Sequence, residues 1–539
     1  MRADFILMDK KFCKKFLTVI LLFFITVNNV LAIQDVNKTT STKTKQKANK
    51  QTEEEEITLR NIQKRVKKIR GECHLPAYEI PQIHEFGTRP AKFSIMSIDE
   101  CVKYAIEHRH DLALNDDYIR IAETGIGQAR SNYAPRLFAN VNYNHNTTKA
   151  TRIGTNSENS MGFNVGISQT IWDFGRTTAK INMAKYNTLS AHYDYEYYLL
   201  DVIYNVKINY YKVLMALANL DIYEQNVRIN TLNYDRTKSM FDEGLKSKID
   251  VVNAEVNLAD SKIQLVEGQN TLESSIIALA DSMDYQEDAA LLVKNTENFG
   301  FLKADYRKKM QNLNNIKPAN VVMQKNSDGL IMLSSGIEHN DFVDGYVFKP
   351  LSIQKQEAVD KALNERPDLK AAKMVEKVQE ESLKVLKKSY TPDLTANLTW
   401  GYTKNENDVY SSPLQFGAGL GIGTVNPYGI HYLIKEGEVY LDVARHNVNI
   451  ALCDIFWEVQ ANYINMRQLE RQIPLMNTKV KATLENFELA DGRYSVGLNN
   501  YVELQDALAN YNTSQLNFVE AVFKYNVARE TLLKSMGVK

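Results

Sequence analysis

Ala105-Ile-Glu-His-Arg-His-Asp-Leu112 and Ala362-Leu-Asn-Glu-Arg-Pro-Asp-Leu369 are two versions of one phrase, and reading them together decides the fold. Ala, Arg, Asp and Leu recur at the same four places, 257 positions apart. The match continues without a gap through Tyr133/Tyr390, Pro135/Pro392, Leu137/Leu394, Ala139/Ala396 and Asn140/Asn397. Further on the offset becomes 253 and links Asn209/Asn462, Tyr210/Tyr463, Gly244/Gly497, Leu245/Leu498, Ala254/Ala507, Ser261/Ser514, Leu279/Leu532 and Met283/Met536. A repeat this long is a duplicated unit of roughly 190 residues, not a short-period solenoid. Each half is half of one machine.

Four short segments within the halves alternate with period two. Leu137, Ala139, Val141 and Tyr143 oppose Asn140, Asn142 and Asn144. Met161, Phe163, Val165 and Ile167 oppose Gly162, Asn164, Gly166 and Ser168. Leu394, Ala396, Leu398, Trp400 and Tyr402 oppose Thr395, Asn397, Thr399, Gly401 and Thr403. Leu414, Phe416, Ala418, Leu420 and Ile422 oppose Gln415, Gly417, Gly419, Gly421 and Gly423. These are strands with one apolar and one polar or small face. They form two hairpins, over 136–172 and 393–424, with polar loops around 146–159 and 404–412. Aromatics toward strand ends and an Asn/Thr/Gly face fit lipid on one side and water on the other. A half-buried sheet in a soluble domain is the plainer alternative.

Between the hairpins the chain reads as helix. Arg176 to Glu243 contains no Gly and no Pro, which is about 68 residues and roughly 100 Å at 1.5 Å per residue. The matching stretch of the second half contains Gly437 and Pro474, and Pro474 is expected to kink or break it. The return helices carry heptads. Large residues stand at Val251, Leu258, Leu265, Leu272 and Leu279, with small ones at Ala254, Ser261, Gly268, Ser275 and Ser282. The second half repeats this with Leu504, Tyr511, Phe518, Tyr525 and Leu532 against Ala507, Ser514, Ala521, Ala528 and Ser535. Five heptads with a small second stripe read as a coiled coil of unusually close approach. Gly244-Leu245 and Gly497-Leu498 mark the tips, near 241–247 and 494–500, where each long helix turns back.

Composition excludes several function classes. The chain has 65 basic and 65 acidic residues among 539, so no nucleic-acid partner is indicated. Lys10, Lys11, Lys14 and Lys15, the apolar run Phe16–Val27 and the site Val30-Leu31-Ala32 read as a signal peptide over 1–32. The 4 cysteines of a large exported chain are not a disulfide framework. The rest divides into a polar arm (33–95), a first repeat (96–284), a mixed linker subdomain (285–350) and a second repeat (351–539). Enzyme motifs are lacking. Gly417-Ala-Gly-Leu-Gly-Ile-Gly423 alternates too strictly for a dinucleotide loop, and His108 and His110 fall on different sides of a helix, so neither a metal nor a cofactor is expected.

Four strands cannot close a membrane barrel; the smallest bacterial examples have eight. An open edge in lipid leaves backbone groups unpaired at several kcal/mol each, so several chains must share one barrel. At this point the chain resembles the TolC family of outer membrane efflux proteins, over residues 97–284 and 356–537. The resemblance rests on the duplicated opening, Tyr-x-Pro-x-Leu before each first strand, the exit Ser168-Gln-Thr-Ile-Trp-Asp-Phe-Gly-Arg176, and the tip Arg493-Tyr-Ser-Val-Gly-Leu498. It implies a homotrimer in which duplicated coiled-coil hairpins form an α-barrel across the periplasm, and two β-hairpins per chain form a shared 12-stranded outer-membrane β-barrel. It implies a passive conduit of an efflux or type I secretion system, with outer-membrane lipid, a periplasmic adaptor and an inner-membrane transporter as partners.

The same resemblance carries a gate onto Asp250 and Tyr494, joined by a hydrogen bond from the Tyr hydroxyl. It carries carboxylate rings onto Glu503 and Asp506, and adaptor docking onto the tips Gly244, Leu245, Gly497 and Leu498. This chain has Asn499 where the family latch often has a basic residue. The competing reading is a structural coiled-coil protein of the envelope, which explains the heptads and not the hairpins.

Overall fold

The computed structural model describes residues 93–150, 154–286, 290–293, 350–405, 410–421 and 426–538. The expected signal peptide, most of the arm and most of the linker lie outside them, as do Ile422 and Gly423. In chain order the elements are β1 (Phe93–Met96), α1 (Ile98–His108), α2 (His110–Arg130), β2 (Arg136–Ala150), β3 (Gly154–Trp172), α3 (Arg176–Asp242), α4 (Lys248–Met283) and β4 (Ala290–Val293). The second half continues with α5 (Lys355–Glu365), α6 (Pro367–Lys387), β5 (Asp393–Asn405), β6 (Tyr410–Ser411), β7 (Leu414–Gly421), α7 (Pro427–Ser495) and α8 (Tyr501–Ser535).

The β-hairpins join in one antiparallel sheet in the order β2-β3-β5-β7, with β6 a short partner of β5. Register aligns the four apolar faces on one side. Val141 lies opposite Phe163, Phe163 opposite Tyr402, Val165 opposite Trp400 and Trp400 opposite Leu414. Asn140 lies opposite Asn164, and Asn164 opposite Gly401, on the other side. Much of the apolar side is bare: Leu137, Val141, Tyr143, Met161, Leu414, Phe416 and Leu420 are all exposed, while Ile167, Ala396 and Leu398 on the central strands are buried. An apolar surface of this extent on a single chain marks contact with lipid or protein.

The helices form layers that are also four wide. α3 packs against α4 and α8, and α8 against α7. Nearer the sheet, α2 packs against α3, α3 against α6, and α6 against α7. One flank of the chain is therefore first-repeat material (β2, α2, α4). The other is second-repeat material (β7, α7). The core runs along the coiled-coil seams. All ten heptad positions of α8 are buried, and in α4 only Leu258 and Ser275 are part-exposed. Gly268 needs its size, because a Cβ there would come within 2.6 Å of the Tyr223 ring.

Pro474 does not break its helix: α7 runs unbroken for 69 residues through Gly437 and Pro474. Ile473 beside it is buried while Pro474 faces outward. Packing of the inner face holds the helix across the missing N–H, which tertiary contacts can do at a cost of about 3 kcal/mol. Gly437 is packed rather than loose, since a Cβ would approach Leu386 at 2.7 Å.

The duplicated phrase has a structural purpose. Arg109 gives Nη2 to Asp111 at 2.6 Å and Nη1 to the Ser282 carbonyl at 3.1 Å. Arg366 gives Nη2 to Asp368 at 2.7 Å and Nη1 to the Ser535 carbonyl at 3.4 Å. Each repeat thus clamps its opening onto the C-terminal turn of its own return helix, where cationic donors satisfy orphan carbonyls. The residue ending each return helix is left-handed in both copies, Asp284 at φ +50° and Gly537 at φ +73°. β1 and β4 pair in parallel beside these clamps, a contact between arm and linker that the sequence did not reveal.

Candidate periplasmic aperture

The two tips have the same geometry. Gly244 and Gly497 both sit at φ +77°. The Leu245 N–H donates to the Met240 carbonyl at 2.8 Å and the Gly244 N–H to the Phe241 carbonyl at 2.8 Å. Leu498 donates to Arg493 at 2.9 Å and Gly497 to Tyr494 at 3.1 Å. This pair of bonds closes a helix C-terminus with glycine in the left-handed position, where any Cβ is strained. Leu245 and Leu498 project into solvent from both tips.

Each return helix starts on a cap. Ser247 gives its N–H and its hydroxyl to the Asp250 carboxylate, at 3.2 and 2.9 Å. Asn500 accepts the Glu503 N–H at 2.8 Å. Asp250 is thus held as a capping-box residue. Glu503 and Asp506 are exposed, one turn apart, on a polar stripe of α8 that continues through Asn510, Thr513 and Glu520.

Tyr494 and Asp250 are not joined within the chain. The Tyr494 hydroxyl is buried and lies 2.9 Å from Thr237 Oγ1. Thr237 gives its own proton to the Asn233 carbonyl at 2.7 Å, so Tyr494 is the donor. The carboxylate of Asp250 is taken up by its own cap. Burial raises the Tyr494 pKa, and the nearby Asp250 charge adds to it.

Around Tyr494 the two hairpins are tied by polar contacts whose partners the sequence did not single out. Arg236, 2% exposed, gives Nη1 to Asp491 at 2.8 Å. Tyr501 accepts from Asn257 at 3.3 Å and from Gln505 at 2.7 Å, and burial pushes its hydroxyl up to about 12. Lys246 lies 4.6 Å from the Tyr494 ring centroid and 3.5 Å from the Asn499 carbonyl. Lys246 is the repeat equivalent of Asn499, so the basic residue missing from the second tip is supplied by the first. The only sequence signal for Arg236 was a charge inside an otherwise inward helical stripe.

Chemically the tip region is a clamp of one buried ion pair and one hydroxyl pair between α3 and α7, beside two exposed carboxylates. Among the described residues no group of His, Cys, Asp and Glu could hold a metal ion, and no helix is long and apolar enough to cross a membrane.

The family model described as outer membrane efflux protein matches residues 102–283 and 358–538. Solved structures share the fold at low identity. The outer-membrane channel OprN is 13% identical, with a TM-score of 0.63 over 87% of this chain and 99% of its own. The Campylobacter jejuni CmeC outer membrane channel is 17% identical, with a TM-score of 0.62 over 86% and 95%. The open state of the Neisseria gonorrhoeae MtrE outer membrane channel is 15% identical, with a TM-score of 0.59 over 86% and 98%. Among curated proteins there is no match.

Proposed function

The chain belongs to the outer membrane efflux protein family, and from that premise we propose that it is the channel of a tripartite efflux or type I secretion system. In this reading three copies conduct cargo passively from an inner-membrane transporter, joined through a periplasmic adaptor, across the periplasm and the outer membrane. The observation that carries it is the pair of open flanks. Among the described residues, sheet and helix layers are each four wide and end on unpaired edges, first repeat on one side and second repeat on the other. Such a head-to-tail surface closes into a ring when the rotation per copy allows it, and three copies give 12 strands. The bare apolar face of the sheet then meets lipid, and the Asn/Thr/Gly face lines a wet lumen.

At the periplasmic end we assign the constriction to Glu503 and Asp506. Threefold symmetry would bring six carboxylates round one opening, which favours cations. Arg236–Asp491 and Thr237–Tyr494 hold the closed arrangement, with Asp250 contributing its charge beside Tyr494. The tip residues Gly244, Leu245, Gly497 and Leu498 present the adaptor-docking surface. The coiled-coil alternative leaves the bare sheet face without a purpose.

The test is reconstitution of the mature protein from outer membranes into planar bilayers. A trimer by mass in detergent, with cation-selective conductance, supports the proposal; a stable monomer or a silent bilayer refutes it. Deleting the protein and scoring drug sensitivity against loss of secreted proteins separates efflux from secretion.

A further inference from the structure

The internal duplication supplies a control for the inside of the chain. α3 and α7 are equivalent with an offset of 253, and α2 and α6 with an offset of 257. α2 packs on α3 as α6 packs on α7. The α6–α7 seam carries a cation, Arg445, which lies 3.5 Å from Glu376. Moved to the first repeat, that pair becomes His192 and Ile119. A permanently charged side chain is thus matched by one whose charge depends on pH.

His192 is 1% exposed, whereas half of the Arg445 side chain meets solvent. Neither ring nitrogen of His192 has a hydrogen-bond partner within the chain. The polar groups on either side of it along the seam do. Thr188, one turn before, gives its hydroxyl to the Ala122 carbonyl of α2 at 3.1 Å. Tyr198 gives its hydroxyl to Asp111 of α2 at 3.1 Å. Ile119 is buried, and Asp116 and Glu123 stand one turn to either side of it. The charges acting on the His192 ring are three carboxylates: Glu123 and Asp116 of α2, and Glu196 of its own helix. Arg120 of α2 is turned to Asp116 at 3.1 Å and is half exposed. α6, which also packs on α3, carries Lys370, Lys373 and Lys377. Lys370 pairs with Glu365 at 3.8 Å, Lys373 is exposed, and Lys377 lies over the Tyr186 ring at 5.1 Å. Farther along, Lys534 of α8 is held by Asp201. Burial outweighs the three carboxylates and holds the His192 pKa below its ordinary value of 6.5.

We propose that His192 is an acid-sensitive joint: a proton taken up by its ring turns a neutral core residue into a buried cation and loosens α2 from α3. The second repeat shows what a cation needs at this place. Solvent and Glu376 share the charge of Arg445; burial and Ile119 offer His192 neither. A buried charge without a bonded partner is costly. Linkage gives the sign. A base whose folded pKa is depressed stabilises the seam above pH 6.5, and that contribution is lost as pH falls below 6.5. The joint therefore yields to acid, and it does so in the first repeat alone. Both helices belong to one chain, so the joint does not depend on how copies assemble.

The experiment is hydrogen–deuterium exchange of the full-length protein in detergent at pH 7.5, 6.5 and 5.5, corrected for the intrinsic exchange rate at each pH. Protection of α2 should fall on acidification, by up to about tenfold per pH unit below 6.5, while that of α6 holds. His192→Gln should give α2 the same protection at pH 7.5 and 5.5. His192→Arg should leave α2 loose at both. Unchanged α2 protection in the unmodified protein overturns the proposal, and that reading needs no variant. Loosening of α6 equal to that of α2 overturns it too, as does an acid response that survives His192→Gln.

Discussion

Replacing Asp491 by Asn together with Tyr494 by Phe should hold the periplasmic aperture open. Both substitutions keep size and remove one tie between α3 and α7. The Arg236 guanidinium is buried with Asp491 at 2.8 Å, and the Tyr494 hydroxyl donates to Thr237 at 2.9 Å. A bond to a charged group contributes about 1.5–3 kcal/mol and a neutral one about 0.5–1.5. The pair therefore contributes about 2–4.5 kcal/mol per chain, or about 6–13 if three chains move together. Inverting a population from 99:1 closed to 1:99 takes about 5.5 kcal/mol, so even the low end suffices. Leaving Arg236 charged and buried without its carboxylate penalises the closed state further. The assay is single-channel conductance in planar bilayers, on material shown to be trimeric. Raised conductance with an intact trimer is the expected result. Wild-type conductance with an intact trimer would refute the clamp, and a fall in trimer stability without a conductance change would make it structural only.

Glu503→Ala with Asp506→Ala should lower cation selectivity and block by multivalent cations, read as reversal potential under a salt gradient, while leaving the trimer intact; unchanged values would remove them from the constriction. Gly268→Leu or Ala521→Leu should overpack the coiled-coil seams and cost roughly 1–3 kcal/mol, seen as reduced trimer yield, whereas exposed Lys524→Ala should be nearly silent. Tyr501 and Tyr511 are both pushed up to about 12 by burial. A hydroxyl raised above its unfolded value near 10 favours the fold below pH 10, and that contribution is lost as pH rises from 10 to 12. Alkaline unfolding followed by circular dichroism should therefore become shallower in that window for Tyr501→Phe with Tyr511→Phe.

The fold was legible because its signals are periodic and doubled. Alternation over Leu137–Tyr143 or Leu394–Tyr402 is weak by itself, but the same alternation recurring at matched places left few readings. The heptads were legible because close helix approach demands small residues, and Ala254, Ser261 and Gly268 have no other reason to recur. The break expected at Pro474 does not occur because packing, with the buried Ile473 beside it, overrides local propensity. The ties at the aperture were hard to see for the opposite reason. Arg236, Thr237 and Asp491 meet only in three dimensions, across more than 250 residues, and a single charge within a helical stripe has no period to announce it.

The duplication also explains why the gate could not be read by carrying one repeat onto the other. Repeat-equivalent positions share backbone geometry, as Gly244 and Gly497 do, but they diverge wherever their neighbours differ. Arg236 is equivalent to Leu489, which is exposed, and Tyr494 is equivalent to Phe241. Arg236 and Tyr494 face the other hairpin of their own chain, whereas Leu489 is exposed and Phe241 is part-exposed. The Arg236–Asp491 pair is therefore a tie that only the three-dimensional neighbours of α3 and α7 create, and the repeat-equivalent Leu489 has no such neighbour to face.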